Sequence, residues 1–377
     1  MKIAEVVATY PPSHGGMGYV CFHNARELAR RGHDVTVFTL DYGFKTPETE
    51  QNDFRVVRLG TPFRMGDAGV VPQLYAKLSG FDILHLHYPF YGGAEYVYLS
   101  SLLRRQRYFL TYHMDVAGTT ALKKVLLGVY DALLMNKIIR RADRVGALTM
   151  EHLRSSKAAR CVDWNRVVEI PNGVDTEKFR PRPKNRELME MHGLEGRVVA
   201  LFVGNLQPFK GLHLLIDAVA ELRTDELVLL IVGGGYGEKQ YRDRVRMRRI
   251  EHRVIFAGPQ SPDGRLPDYY NLGDFLVLPS THSEAFPLVV MEAFSSGIPV
   301  IVSSLPGPSR LIEAGKDGLI ATVGDSADLR NKIDCLVRDR EGRTRMGNAG
   351  RQKILNDYSW TRIGERLENI LFDIVRT

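Results

Sequence analysis

The chain has 377 residues, 44% hydrophobic and 25% charged, with a net charge of +7 and no low-complexity tract. That length favours two domains over a single core, and the composition is that of a soluble globular chain. No apolar run approaches the roughly 18 residues of a membrane span, and three scattered cysteines (Cys21, Cys161, Cys335) make neither a disulfide framework nor a metal knuckle.

Glu5 interrupts the first apolar run and prolines follow, unlike a signal peptide, so a cytoplasmic protein is expected. The basic excess is uneven: residues 1–180 hold 24 Lys and Arg against 18 Asp and Glu, whereas residues 181–377 hold 27 against 26. No RNA-binding motif or zinc-finger spacing accompanies it, so no nucleic-acid partner is expected. An anionic membrane surface is a second explanation, with the protein peripheral at the inner face of the membrane.

In chain order, apolar runs predict strands at 2–8, 35–40, 54–60, 83–88, 108–113, 144–149 and 167–171. After a turn-rich linker, PNGVDTEKFRPRPKN (171–185), they resume at 197–204, 227–235, 253–258, 275–280, 299–304 and 318–323. Helical patterns lie between them, such as YVCFHNARELARRG, which stops at Gly32. Continuous β-branched strands alternating with amphipathic helices predict α/β architecture with parallel sheets covered on both faces. Two doubly wound units follow, with ligands expected beyond the carboxyl ends of the strands.

The loops after those strands hold the candidate residues. YPPSHGGMGYV (10–20) brings Gly15, Gly16 and Gly18 before a helix, where backbone N–H groups suit a phosphate. Its spacing lacks the third glycine of a dinucleotide fingerprint, although Asp41 stands near the place of a ribose-binding acid. GNLQPFKGLHLLIDAV (204–219) repeats the arrangement, with Lys210 expected in the first turn of a helix. His113 closes TYH after one strand, and His85 and His87 share one face of another. No Asp-x-Asp occurs and no His/Asp/Glu cluster has metal-ligand spacing, so no metal site is expected. A bound diphosphate would then be neutralised by Lys210 and helix N-termini.

HSEAFPLVVMEAFSSGIPVIVSS (282–304) carries Glu284 and Glu292 around Pro287, which suits a helix start; the helix is expected over about 287–296. Eight helical residues rise about 12 Å, more than the roughly 5–9 Å of a glycosidase carboxyl pair. The two glutamates therefore fit a clamp for the ends of a long ligand with an anionic middle, as in a nucleoside diphosphate sugar.

Together, Glu284-x7-Glu292, the GGMG loop, EIPNGVDTEKFRP and VGNLQPFKGLHLLIDAV resemble, in order and over nearly the whole chain, the retaining family 4 glycosyltransferases of GT-B fold. The resemblance implies two Rossmann-like domains facing a central cleft that closes about the linker. Residues 1–175 would bind the acceptor, with a last helix at about 359–377 packing back on them, and residues 176–358 would bind the donor. Glu292 would hold the donor ribose, and Glu284 the transferred sugar, helped by backbone around Phe286 and Leu288. Lys210 and the Gly15–Gly16 backbone would bind the diphosphate, and His113 would lie near the sugar and the acceptor. Two positions depart from the pattern: Asn205 replaces an arginine, and Pro287 replaces the second glycine of a Glu-Gly-Phe-Gly motif.

The implied reaction is a metal-independent, retaining hexosyl transfer from a UDP- or GDP-sugar to an acceptor hydroxyl, by front-face departure and without a cofactor. The acceptor would be a glycan, a lipid-linked or a small molecule. ALKKVLLGVYDALLMNKIIRRADR (121–144), apolar with clustered Lys123, Lys124, Lys137, Arg140, Arg141 and Arg144, reads either as a core helix with a basic face or as a lipid-facing segment. The rival functions are a GT-B sugar-nucleotide epimerase, a glycoside phosphorylase, a non-catalytic nucleotide-sugar binder and an NAD-dependent oxidoreductase.

Overall fold

The computed structural model describes the chain except residues 13–15, 44–52, 117–120, 262, 263, 283, 285 and 377, and except the side chains of 121–124. Gly15 therefore lies outside the described residues, as do the side chains of Lys123 and Lys124. The chain divides into two compact units: Met1–Gly173 with Trp360–Thr377, and Val174–Ser359.

The first unit contains β1 (Lys2–Val6), β2 (Asp34–Leu40), β3 (Arg55–Leu59), a small hairpin of β4 (Arg64–Met65) and β5 (Ala68–Gly69), then β6 (Ile83–Tyr88), β7 (Tyr108–Tyr112), β8 (Arg144–Ala147) and β9 (Val167–Glu169). Seven of these form one sheet in the order β3-β2-β1-β6-β7-β8-β9, with parallel pairing throughout. Strands buried on both faces explain why β6 reads as an unbroken apolar run interrupted only by histidines. Alternate residues of β1 and the residue after it enter different cores: Ala4 and Val6 pack with Leu84 and Leu86, whereas Ile3 and Val7 pack with Ile83, Phe109 and the last helix.

That last helix, Trp360–Arg376, packs against the Gly16–Arg30 helix. Gly364 permits the approach, since a Cβ there would stand 2.6 Å from Cβ of Glu27. Trp360 stacks on His23 at 4.4 Å, and Glu368 pairs with His33 at 2.7 Å and Arg31 at 3.2 Å.

The second unit holds β10 (Val198–Val203), β11 (Leu227–Val232), β12 (Val254–Gly258), β13 (Phe275–Leu278), β14 (Val300–Ser303) and β15 (Gly318–Ala321). They form a parallel sheet in the order β12-β11-β10-β13-β14-β15. In both sheets the strand order reverses at one point, between β1 and β6 and between β10 and β13. Such switch points open a crevice beyond the carboxyl ends of the strands, and it is there that ligands bind in open α/β sheets.

The basic segment departs from the expected single helix. A helix over Ala121–Tyr130 continues through a π-helical turn, Asp131–Met135, into a helix over Asn136–Arg141, while Arg144 opens β8. Val125, Leu126, Val129 and Leu133 on it are exposed, so it is not simply a core helix. Among the described residues no helix is long and apolar enough to cross a membrane.

Candidate active site

In the second unit the switch point is built from two loops. β10 ends at Val203, and Pro208–Lys210 forms a single 3-10 turn before the Leu212–Glu221 helix. Lys210 thus stands just ahead of the helix rather than in its first turn, because Gly211 breaks the geometry at φ +70°. A Cβ on Gly211 would meet the carbonyl oxygen of Pro279 at 1.9 Å, so only glycine lets this turn lie against the end of β13. The amide of Thr281 donates to the carbonyl of Phe209 at 2.7 Å and ties the two loops together.

This contact brings Lys210 and Glu284 into an ion pair through Nζ and Oε1. Ser280 donates to the same carboxylate oxygen at 3.0 Å. Both side chains are largely withdrawn from solvent, where a charge pair is screened little.

Pro287 caps the following helix, Leu288–Ser295, instead of occupying its first position. Pro287 offers no side-chain cap, and Val290 donates to the Pro287 carbonyl at 3.1 Å. Among the described residues nothing is bonded to the N–H groups of Leu288 and Val289, which with the positive end of the helix dipole suit an anion. Glu292, in the second turn, is buried and accepts a hydrogen bond from the Tyr270 hydroxyl at 2.6 Å. Burial pushes its carboxyl up to about 7, against the opposing pull of Tyr270 and Lys178. Phe286 is buried near Tyr358, at 5.9 Å between rings, and Asn205 is exposed after β10. Glycines support this helix from behind: Cβ atoms on Gly347 and Gly350 would stand 2.1 Å from the Gly297 carbonyl oxygen and 2.3 Å from the Phe294 ring.

The loop after β11 carries no residue singled out from the sequence. Leu206 donates to Gly234 at 3.0 Å and Gly237 to Leu206 at 3.2 Å, packing it on the loop after β10. It leaves Tyr236 almost fully exposed at the same end of the sheet.

In the first unit, Gly16 opens its helix with no described residue within 4 Å of where a Cβ would lie, whereas a Cβ on Gly18 would meet the Thr9 carbonyl oxygen at 2.4 Å. Gly18 lets the helix approach the end of β1. His113 follows β7, its amide bonded to the Tyr88 carbonyl at 2.9 Å.

Behind His113 lies a polar network that linear spacing concealed. The β1–β6 register places Glu5 beside His85, and period two adds His87 to the same face. His87 Nε2 bonds Glu5 at 2.7 Å and its Nδ1 bonds His113 Nε2 at 2.9 Å. His85 Nδ1 bonds Glu5 at 3.0 Å and its Nε2 bonds Thr111 at 2.8 Å. The expectation of no metal-type cluster is corrected to this extent: ligand atoms of Glu5, His85 and His87 lie within 4.8 Å of one another. They come from strands 80 residues apart in sequence, and hydrogen bonds among themselves engage them.

Burial, the largest influence on Glu5, would raise its carboxyl, but His85 and His87 outweigh it and hold it at about 2. Burial and then His85 bring His87 down to about 4, against Glu5. Burial, His87, His85 and His152 hold His113 well below the usual imidazole range.

Comparison with known proteins finds relatives along the whole chain. Residues 184–353 match the model of "Glycosyl transferases group 1" and residues 14–178 that of "Glycosyltransferase Family 4". The chain is 31% identical over 365 residues to a D-inositol 3-phosphate glycosyltransferase of Nocardia farcinica, covering 88% of this chain and 79% of the relative. It is 25% identical over 390 residues to an N-acetyl-alpha-D-glucosaminyl L-malate synthase of Bacillus anthracis, covering 100% and 98%. Among solved structures, Anabaena HepE in complex with UDP superposes with a TM-score of 0.82 at 20% identity, over 99% of this chain and 100% of that one. With two parallel-sheet α/β units of GT-B class and these matches along its length, the chain belongs to the family 4 glycosyltransferases.

Proposed function

We propose that the protein is a retaining glycosyltransferase that moves a hexose-type sugar from a UDP- or GDP-sugar to an acceptor hydroxyl during glycolipid, polysaccharide or other glycoconjugate synthesis. The observation that carries this reading is the Lys210–Glu284 pair at the switch point between β10 and β13, beside a helix N-terminus to which Pro287 offers no side-chain cap. A cation, the N–H groups of a helix N-terminus and a carboxylate suit a diphosphate joined to a sugar.

In this reading Lys210 and the N–H groups at Leu288 meet the charge of the departing diphosphate, with no metal needed, and Asn205 supplies a neutral donor where the family places arginine. Glu284, oriented by Ser280, accepts from sugar hydroxyls. Glu292 receives the ribose hydroxyls on the carboxylate oxygen that Tyr270 leaves unused. In the first unit the Gly16 backbone is assigned to a phosphate, and His113 to a sugar or acceptor hydroxyl. No covalent nucleophile is assigned; positioning and leaving-group stabilisation supply the rate.

A second observation supports the reading that the acceptor is met at a membrane surface. Exposed Val125, Leu126, Val129 and Leu133 run into exposed Lys137, Arg140 and Arg141, a combination that fits an anionic lipid surface.

A thermal-shift panel of UDP, GDP, ADP and their sugars, paired with measurement of nucleoside diphosphate release, tests the reading. A ligand at 100 times its Kd adds about 2.7 kcal/mol. Equal stabilisation by unrelated anions, or none by any sugar nucleotide, would refute it.

A further inference from the structure

We propose that Glu5 and His87 are positioning residues that set the His113 ring in its Nε2–H tautomer and leave Nδ1 as an acceptor for a substrate hydroxyl. The substrate half of this statement rests on the functional reading above; the tautomer does not.

The direction of the chain follows from what each atom can do. An ionised carboxylate only accepts, so both histidines that touch Glu5 must donate to it. His87 spends its Nε2–H on Glu5 at 2.7 Å. A neutral His87 then has only a lone pair at Nδ1, and the 2.9 Å contact there makes His113 Nε2 the donor. A neutral His113 with its proton on Nε2 keeps its lone pair on Nδ1, an atom that bonds to no described residue. Whether His85 is charged or neutral changes nothing on this branch, because its Nε2 ends at Thr111 at 2.8 Å.

The placement of the network argues that it serves more than packing. A fully buried carboxylate in the middle of β1 is costly to desolvate, and buried ionic groups are often replaced by well-packed apolar side chains at no loss of stability. Here it sits at the reversal between β1 and β6. Of its two branches, one closes on Thr111 and the other runs to the carboxyl end of β7, where ligands approach such sheets. The contacts of 2.7 and 2.9 Å leave the His113 ring one orientation of its donor and one of its acceptor.

The test is a two-bond proton–nitrogen correlation spectrum of the full chain labelled with nitrogen-15 histidine, near neutral pH and without ligand. Spectra of His87→Gln and His113→Gln assign the two rings. The expected result is protonated Nε2 and bare Nδ1 for both. A His113 protonated on Nδ1, or on both nitrogens, overturns the proposal.

In Glu5→Gln, whose amide can donate or accept, His113 should populate both tautomers. Its kcat should fall about tenfold while the donor KM changes less than about twofold. Thr111→Val, which trims the other branch, should leave the His113 tautomer as it is. A folded Glu5→Gln with wild-type tautomer and kcat would sink the idea. If that variant does not fold, the wild-type spectrum decides. If the spectrum agrees but no sugar nucleotide is turned over, the functional reading fails while the relay stands.

Discussion

Replacing Glu292 by Gln isolates the consequence of burying a carboxylate beside Tyr270. In the folded protein the carboxyl is raised from 4.5 to about 7. At about 1.36 kcal/mol for each pK unit, the ionised form costs the fold about 3 kcal/mol once pH is well above 7. Between 4.5 and 7 the folded state holds a proton that the unfolded chain has released, so this contribution falls as pH rises. A glutamine accepts from Tyr270 through its carbonyl and carries no such loss. The unfolding free energy of Glu292→Gln relative to wild type should therefore grow by about 2.5 kcal/mol between pH 5 and 8. Urea titrations followed by far-ultraviolet circular dichroism measure it; both tryptophans, Trp164 and Trp360, lie in the first unit and do not report on the second. A difference that stays constant with pH would show Glu292 ionised throughout and refute the reasoning.

Gly18→Ala should lower the stability of the first unit by about 2 kcal/mol, because its Cβ meets the Thr9 carbonyl at 2.4 Å, whereas Gly16→Ala should change it little; tryptophan fluorescence during urea unfolding separates the two. Lys210→Met should cut kcat/KM by about 10²–10³ and abolish the thermal shift given by the preferred nucleotide; an undiminished shift would remove Lys210 from the diphosphate site. Arg351 donates to the carbonyls of Ser295 at 2.6 Å, Phe179 at 3.0 Å and Thr176 at 3.2 Å. Arg351→Met should cost about 2–3 kcal/mol in the second unit by the same dichroism titration. The protein should co-sediment with anionic vesicles at low salt and be released at high salt, and Arg140→Glu with Arg141→Glu should abolish binding; failure to bind at either salt would dismiss the lipid surface.

Much of the architecture was legible because its signals are local. Each strand of the two large sheets is an apolar run between turn residues, so its existence follows from neighbours a few positions away. The β4–β5 hairpin was not foreseen: Arg64–Met65 and Ala68–Gly69 have no apolar run to mark them. Lys210 stands ahead of its helix because Gly211 must lie against Pro279, a contact formed 68 residues along the chain.

The order of apolar runs, by itself, determined two parallel-sheet units, and the ordered motifs, Glu284-x7-Glu292 among them, carried the resemblance to family 4 glycosyltransferases. Tertiary structure alone decided which polar atoms meet. Glu5 reads as an isolated acid in a strand until the β1–β6 register sets it against His85 and His87. Glu284 and Glu292 look alike along the chain, yet one pairs with Lys210 and the other is buried against Tyr270. The physical reason is that a charge takes its properties from solvent access and from partners within a few ångströms. Those partners are brought by strand register and loop closure over tens of residues, which periodicity does not encode.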